Sequence, residues 1–343
     1  MGVFLKCVNG EPVERPPIWF MRQAGRYLSE YRSTRKRAGS FLDLCYNPAL
    51  TTEVTLQPLR RFNLDGAILF ADILLIPNAL GQHLEFKEGI GPILEPLKNN
   101  EDIENLRNSD DIHSTLEPVY EAVTNIKSKL ETNITFIGFA GSPWTVATYM
   151  IEGKGSKDHI KTKTFMLNYP EVFRKLIVKI QDATIEYLSR QIVAGVDVVK
   201  LFDSWANSLP ATYIEKFSLE PMKVIAKEIK KRFPKIPIIV FPRGVGPMYK
   251  IFAMVKEFDC VAIDSSIDLD WAKKNNISMA VCTNKQEKLG IDLLKNLKMN
   301  KYVFYNKNLM VLSITSFKGI GMSLSSYGCF VPKVWSVSYT HLT

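Results

Sequence analysis

PEVFRKLIVKIQDATIEYLSRQIVAGVDVVKLFDSW, residues 170–205, contains both halves of a repeating structural unit. Pro170 and Glu171 open an amphipathic helical pattern that continues to Val193. Proline has no N–H to lose in a first turn, and an acid there meets the positive end of the helix dipole. Residues 196–201, apolar and β-branched apart from Asp197 and Lys200, read as a strand buried on both faces. The polar pair Asp203–Ser204 follows at once. Outward from this stretch the same rhythm recurs. Further short apolar runs lie at 18–21, 67–70, 134–139, 238–241, 260–263, 278–282 and 302–305, with helical patterns between them, 214–232 among the clearest. The repetition is one of element types rather than of sequence.

Strand–helix alternation implies right-handed βαβ units and a parallel sheet. Eight runs in 343 residues suit an α/β fold of the (β/α)8 TIM-barrel type better than an open doubly wound sheet. No GxGxxG follows the first strand, which weighs against a dinucleotide fold. Residues 81–107, rich in glycine, proline and charge, read as an insertion and not as a domain boundary. The chain is therefore expected to be one domain over 1–308 followed by a tail, 309–343.

Composition sets the class. Hydrophobic residues make up 46% and charged residues 23%, enough apolar material for a sizeable core and against wholesale disorder. The net charge is +9, with basic residues spread along the chain. Runs such as 227–232 (KEIKKR) read as the solvated face of a helix, and no nucleic-acid signature accompanies them. Five cysteines, Cys7, Cys45, Cys260, Cys282 and Cys329, are odd in number, widely spaced and free of CxxC pairs. That pattern points to a reducing compartment and away from a local zinc or disulfide framework. The opening MGVFLK has no signal h-region, and no apolar run reaches the ~18 residues of a membrane span. The expectation is a cytoplasmic protein with no membrane and no nucleic-acid partner.

In barrels, chemistry collects where strands end. Here Arg22, Asp72, Gly141–Ser142, Asp203–Ser204, Arg243 and Asp264 each follow an apolar run. Arg22 and Arg26 are four apart, so on a helix they share a face, and two guanidiniums facing one cavity need an anion. Arg32 and Arg35 enlarge the cluster. The plainer reading is a surface helix paired with Glu30 and Asp43. Asp72, between AILFA and ILLIP, is either a cap for loop N–H groups or a lone anion on a cleft floor. Tyr149 falls about two turns into a helix opened by Pro143 and Thr145. GKGS at 153–156 reads as a flexible loop that lacks Walker spacing.

Taken together, PPIWFMRQAGRYLSEYRSTR (16–35), LQPLRRFNLDGAILFADILLIPNALG (56–81), GFAGSPWTVATYM (138–150), LFDSWA (201–206) and FPRGVG (241–246) resemble, in order and spacing, the hallmark blocks of the uroporphyrinogen decarboxylase family. The likeness extends over roughly residues 10–275. It implies a cofactor-free and metal-free (β/α)8 enzyme, usually a homodimer. Such an enzyme removes CO2 from the four acetate side chains of uroporphyrinogen, giving coproporphyrinogen for haem synthesis. By the same resemblance Asp72, Arg22 and Arg26 carry the catalysis, with Asp72 accepting the pyrrole N–H groups. Gln23, Arg35, Tyr149 and Ser204 hold the substrate.

Beyond about residue 280 the resemblance ends. The family's glutamine-glycine-asparagine turn is replaced by Cys282–Thr283–Asn284. Its asparagine-leucine-glycine-histidine-glycine turn is replaced by Asn308–Leu309 running into Met310–Val311. None of His83, His113, His159 and His341 occupies that context. Residues 317–343 have no helical period and read as frameshifted or foreign coding sequence. Asn207 and Lys154 each replace a family glycine. Two other readings follow: an inactive tetrapyrrole-binding remnant, and a cobamide-dependent methyltransferase of the same superfamily. The second needs an HxC pair near the chain end, which the sequence lacks.

Overall fold

The computed structural model describes residues 1–264, 267–275, 279–283 and 310–314. Its ten strands are β1 (Ile18–Phe20), β2 (Gly66–Ile68), β3 (Leu84–Lys87), β4 (Gly91–Leu94), β5 (Thr135–Gly141), β6 (Val198–Asp203), β7 (Ile238–Pro242), β8 (Cys260–Ile263), β9 (Met279–Thr283) and β10 (Met310–Ile314). Eight form one sheet in the order β1-β10-β9-β8-β7-β6-β5-β2, and each adjacent pair is parallel. Long helices connect them, Pro170–Ala194 between β5 and β6 being the longest at 25 residues. This is the α/β, TIM-barrel-type arrangement that the alternation implies. β3 and β4 form a separate antiparallel hairpin inside the segment read as an insertion.

The run at 302–305 lies outside the described residues. The place between β9 and β1 is taken by β10, which lies within residues 309–343. MVLSI is itself a short apolar run, able to pair on both edges, with Leu312 opposite both Val281 and Ile18. At the other end of the order, β1 and β2 meet. The Asp65 N–H donates to the Ile18 carbonyl at 2.8 Å. The Gln23 amide then acts as a short piece of strand: Nε2 donates to the Gly66 carbonyl at 2.5 Å and Oε1 accepts from the Ile68 N–H at 2.9 Å. Pairing both edges in this way removes the exposed backbone that an open sheet would carry.

One device fixes strand starts three times. Asp65, Asp197 and Asp259 stand just before β2, β6 and β8. Each donates its N–H to the carbonyl at the start of the preceding strand: Ile18, Phe136 and Ile238. Each carboxylate accepts the N–H of that same residue, at 2.7, 2.8 and 2.7 Å. Each also holds a cation, namely Arg15, Lys127 and Lys230. A carboxylate accepts two such donors without leaving a buried N–H unpaired.

Among the described residues, aromatic rings inside the barrel surround the Lys200 ammonium. Lys200, fully buried on β6, places Nζ 4.6 Å from the Trp19 ring centroid, 4.9 Å from Phe202 and 5.2 Å from Phe241. The ring quadrupoles attract an ammonium there. Outside, Gln191 grips β5 through Phe139, with its amide both accepting and donating at 3.0 and 3.1 Å. Gly138 permits this, since a Cβ there would lie 2.4 Å from Gln191 Oε1. The expected helix 214–232 is helical throughout and widens into a π-turn over Glu215–Leu219 ahead of Glu220–Arg232. Pro221 has no N–H for an α-type bond and crowds the carbonyl four residues earlier, so the turn widens. No described helix is long and apolar enough to cross a membrane.

Candidate active site

A cleft open to solvent lies at the C-terminal ends of β1 and β2. Arg22 and Gln23 enter it after β1, and Phe70 and Asp72 after β2. Phe139 and Phe202 form its floor side, while Phe41 and Phe86 wall it with ring centroids 4.5 Å apart. An open cleft lined by aliphatic and aromatic side chains around a few polar groups suits an organic ligand that carries charged substituents.

The arginine segment departs from its expected form. Residues 21–28 are turns, and helix begins only at Ser29–Ala38. Gln23 pins the chain to β2, the Tyr27 hydroxyl donates to the Gln23 carbonyl, and the Leu28 N–H closes a turn onto the Gly25 carbonyl. These contacts leave no room for a regular i to i+4 ladder. Arg22 and Arg26 therefore do not share a helix face: Arg22 lines the cleft and Arg26 is exposed. Arg32 donates to the Arg26 carbonyl and Arg35 to that of Gly39. The acids of the plainer reading have other close partners, although Asp43 also feels the charge of Arg35. Arg61 grips both oxygens of Glu30, at 2.6 and 2.7 Å, and holds that carboxyl down at about 2. Asp43 forms a capping box with Ser40.

Asp72 carries features of both its readings. One oxygen accepts the Leu74 N–H at 2.8 Å, as a cap would, and the same carboxylate lines the cleft. The cap bond fixes its orientation. Cys45 lies close behind; burial pushes its thiol well up, and the field of Asp72 adds to that. Burial likewise raises Tyr46, which donates to Asn78 Oδ1 at 2.8 Å, and pushes the cleft phenol of Tyr31 up to about 12. These neighbours stay neutral.

Arg22, Gln23 and Asp72 thus meet in one cleft, although the Gln23 amide is engaged with the barrel wall on both atoms. Tyr149 and Ser204 are each 1% exposed and lie off the cleft lining, as do Arg26 and Arg35. Tyr149 sits on helix Pro143–Glu152 with its ring 6.3 Å from that of Trp205. The residue that organises this region is Asp203, fully buried at the end of β6. It accepts Thr145 Oγ1 at 2.6 Å and Ser218 Oγ at 2.5 Å. Burial pushes its carboxyl up to about 6, against the pull of those hydroxyls. Sequence reading noted Asp203 only as a polar strand end; the signal was the acid beside Ser204 in FDSW. After β7 and β8, Asp264 accepts the Gly244 N–H and the Tyr249 hydroxyl at 2.6 and 2.9 Å. Asn207 is seated against Gly244, where a Cβ would approach its own to 2.8 Å.

Known proteins resemble this chain in sequence and in shape. The family model described as Uroporphyrinogen decarboxylase (URO-D) matches residues 2–289. A curated uroporphyrinogen decarboxylase from Rhodobacter capsulatus is 53% identical over 271 residues, 79% of each chain. One from Jannaschia sp. (strain CCS1) is 52% identical over 271 residues, again 79% of each. One from Ruegeria pomeroyi is 52% identical over 268 residues, 78% of each. Among solved structures, a methyltransferase from Methanosarcina mazei superposes with a TM-score of 0.71 over 91% of this chain and 92% of its own, at 16% identity. That identity speaks for the fold alone. The sequence match spans β1 through β9, with the cleft of Arg22 and Asp72 inside it, and by it the chain belongs to the uroporphyrinogen decarboxylase family.

Proposed function

We propose that this chain decarboxylates the four acetate side chains of uroporphyrinogen to give coproporphyrinogen, a carboxy-lyase step of haem biosynthesis. The observation that carries the reading is the pairing of Arg22 and Asp72 in one aromatic-walled cleft of a chain from this family. The substrate carries eight carboxylates around four pyrrole N–H donors, so it asks for cations at the rim and one anion at the centre. Guanidinium meets carboxylate through a planar fork, and Arg22, with Arg26 and Arg35 further out, supplies it.

Decarboxylation leaves an electron pair on carbon and needs a sink. Protonation of a pyrrole ring carbon makes an iminium-like cation. The bond to the carboxylate then breaks, CO2 departs, and the electron pair neutralises the iminium as an exocyclic methylene. A proton added to that methylene gives the methyl group, and the ring carbon loses its proton. No cofactor is required for this sequence. Asp72 stabilises the cation as it forms and gathers the pyrrole N–H groups. Arg22 serves as an electrostatic anchor, since a pKa above ~12 makes guanidinium a poor general acid. Gln23 holds the arginine turn, and the family resemblance gives Tyr149 and Ser204, which are buried beside the cleft and not in its lining here, to the substrate carboxylates. The enzyme works as a cytoplasmic homodimer, which sedimentation of the purified chain tests.

The deciding experiment incubates the purified chain with uroporphyrinogen under reducing conditions and no added cofactor. Stepwise hepta- to tetracarboxylate products with CO2 release are expected. A second reading, tetrapyrrole binding without turnover, is favoured by the end of the family match at residue 289. Tight binding with no CO2 would establish it and reject the first.

A further inference from the structure

We propose that Asp203 is a positioning residue for substrate carboxylate binding: it clamps the loop after β6, which carries Ser204, to the helix after β5, which carries Tyr149. This inference rests on the roles given above to Ser204 and Tyr149. Its basis is the hydrogen-bond geometry around one carboxylate.

Three elements converge on Asp203. Thr145, in the first turn of helix Pro143–Glu152, donates to Oδ1 at 2.6 Å. The same Thr145 oxygen accepts the Trp205 N–H at 3.0 Å, so a single hydroxyl ties the helix to both sides of Ser204. Ser218 donates to Oδ2 at 2.5 Å from the π-turn Glu215–Leu219. A π-turn displaces a side chain from its α-helical position, and such turns recur at functional sites. Main-chain bonds complete the frame: Ser142 N–H to the Phe202 carbonyl at 2.8 Å and Arg243 N–H to the Asp203 carbonyl at 3.0 Å.

A carboxylate with no exposed surface is a costly way to hold two loops unless both of its oxygens are satisfied. Here they are, by hydroxyls that depend on it in turn. The clamp fixes the separation of Tyr149 and Ser204, one turn of helix beyond Thr145 and one residue beyond Asp203. Trp205, held by Thr145, also accepts the Trp144 Nε1–H on its carbonyl at 2.9 Å, locking the helix start from the other side. Loosening the clamp costs orientation of the carboxylate-binding groups while leaving the Asp72 cleft as it was.

The test measures kcat and KM for uroporphyrinogen in Asp203→Asn, Thr145→Val, Ser218→Ala and Thr145→Ser, beside Tyr149→Phe and Ser204→Ala. The expected result is a KM raised about tenfold in Thr145→Val and Asp203→Asn with kcat within about threefold of wild type, and a wild-type KM in Thr145→Ser, which keeps the hydroxyl. Wild-type KM in folded Thr145→Val and Ser218→Ala overturns the clamp, and these two decide the matter if Asp203→Asn does not fold. If Tyr149→Phe and Ser204→Ala leave KM unchanged, the site reading fails and takes the inference with it. If they raise KM while the clamp variants do not, the site reading stands and only the clamp is rejected.

Discussion

At the scale of single residues, the cleft asks one carboxylate to stay charged and oriented. Asp72 receives a backbone N–H from Leu74 and lines the cleft near the neutral thiol of Cys45 and phenol of Tyr46, placed where a pyrrole-centred cation would meet it. Asp72→Ala is expected to lower turnover by roughly 100-fold or more, on the scale of lost transition-state stabilisation. Its far-ultraviolet circular dichroism should stay that of wild type; a near-wild-type rate would remove Asp72 from the mechanism. Two other buried groups oppose each other in pH. His159, 1% exposed, sits at φ 51° with its ring tilted against that of Trp205, centroids 4.9 Å apart, and is pushed down to about 4 by burial. Its folded pKa lies below the unfolded value, so its contribution is full above pH ~6.5 and is lost as pH falls toward ~4. Asp203, raised to about 6, does the reverse: its contribution is full below pH ~3.8 and is lost as pH rises toward ~6. Each slope is worth on the order of 3 kcal/mol, so they nearly cancel in wild type between pH 4 and 6. Urea midpoints across that window should fall with rising pH in His159→Phe and climb in Asp203→Asn. Parallel slopes in both variants would contradict this assignment.

At the scale of elements, the aspartates before β2, β6 and β8 are the joints of the barrel floor. Asp197→Ala leaves the Phe136 N–H without its acceptor and Lys127 without its partner, and Asp259→Ala does the same to Ile238 and Lys230. Each should cost about 2 kcal/mol, the penalty for stranding a buried donor. The double variant should be close to the sum, since the two sites share no partner. Urea unfolding checks this, and a loss below about 0.5 kcal/mol would make the aspartates ornamental. These joints also show what the sequence hides. LDGAIL, VDVVKL and FDCVAI all place an acid just before the strand, yet the runs read as apolar because one polar residue hardly alters a buried strand's pattern. The strands themselves, like helix Pro170–Ala194, were legible because period and burial agree there. The arginine turn was not, because a side-chain amide, Gln23, makes the bonds that decide its shape. Nor was the π-turn, where Pro221 acts within a pattern that is otherwise helical. Met310–Ile314 lies beyond the family likeness, yet five apolar and small residues are enough to pair with β9 and β1.

At the scale of the molecule, charge and cleft act together over different ranges. The chain carries 44 basic and 35 acidic residues, a net charge of +9 distributed along its length. Pairing neutralises much of this locally: Glu30 with Arg61, Glu53 with Arg60, Glu186 with Arg232. The excess remains as a positive field that an eight-fold carboxylate meets before it touches the cleft. Such a field is felt across about 30 Å at ~0.01 M salt and only about 8 Å at ~0.15 M. Contact between Arg22 and a bound carboxylate, half-buried in the cleft, is screened far less. Steering therefore belongs to capture and the cleft belongs to chemistry. Raising the salt from ~0.01 to ~0.15 M should lower kcat/KM for uroporphyrinogen by roughly tenfold while kcat changes less than about twofold. Arg22→Lys should shift kcat at every ionic strength, because a point charge cannot reproduce the bidentate fork. A kcat/KM independent of salt would assign substrate capture to the aromatic walls, with the surplus of lysine and arginine playing no part in it.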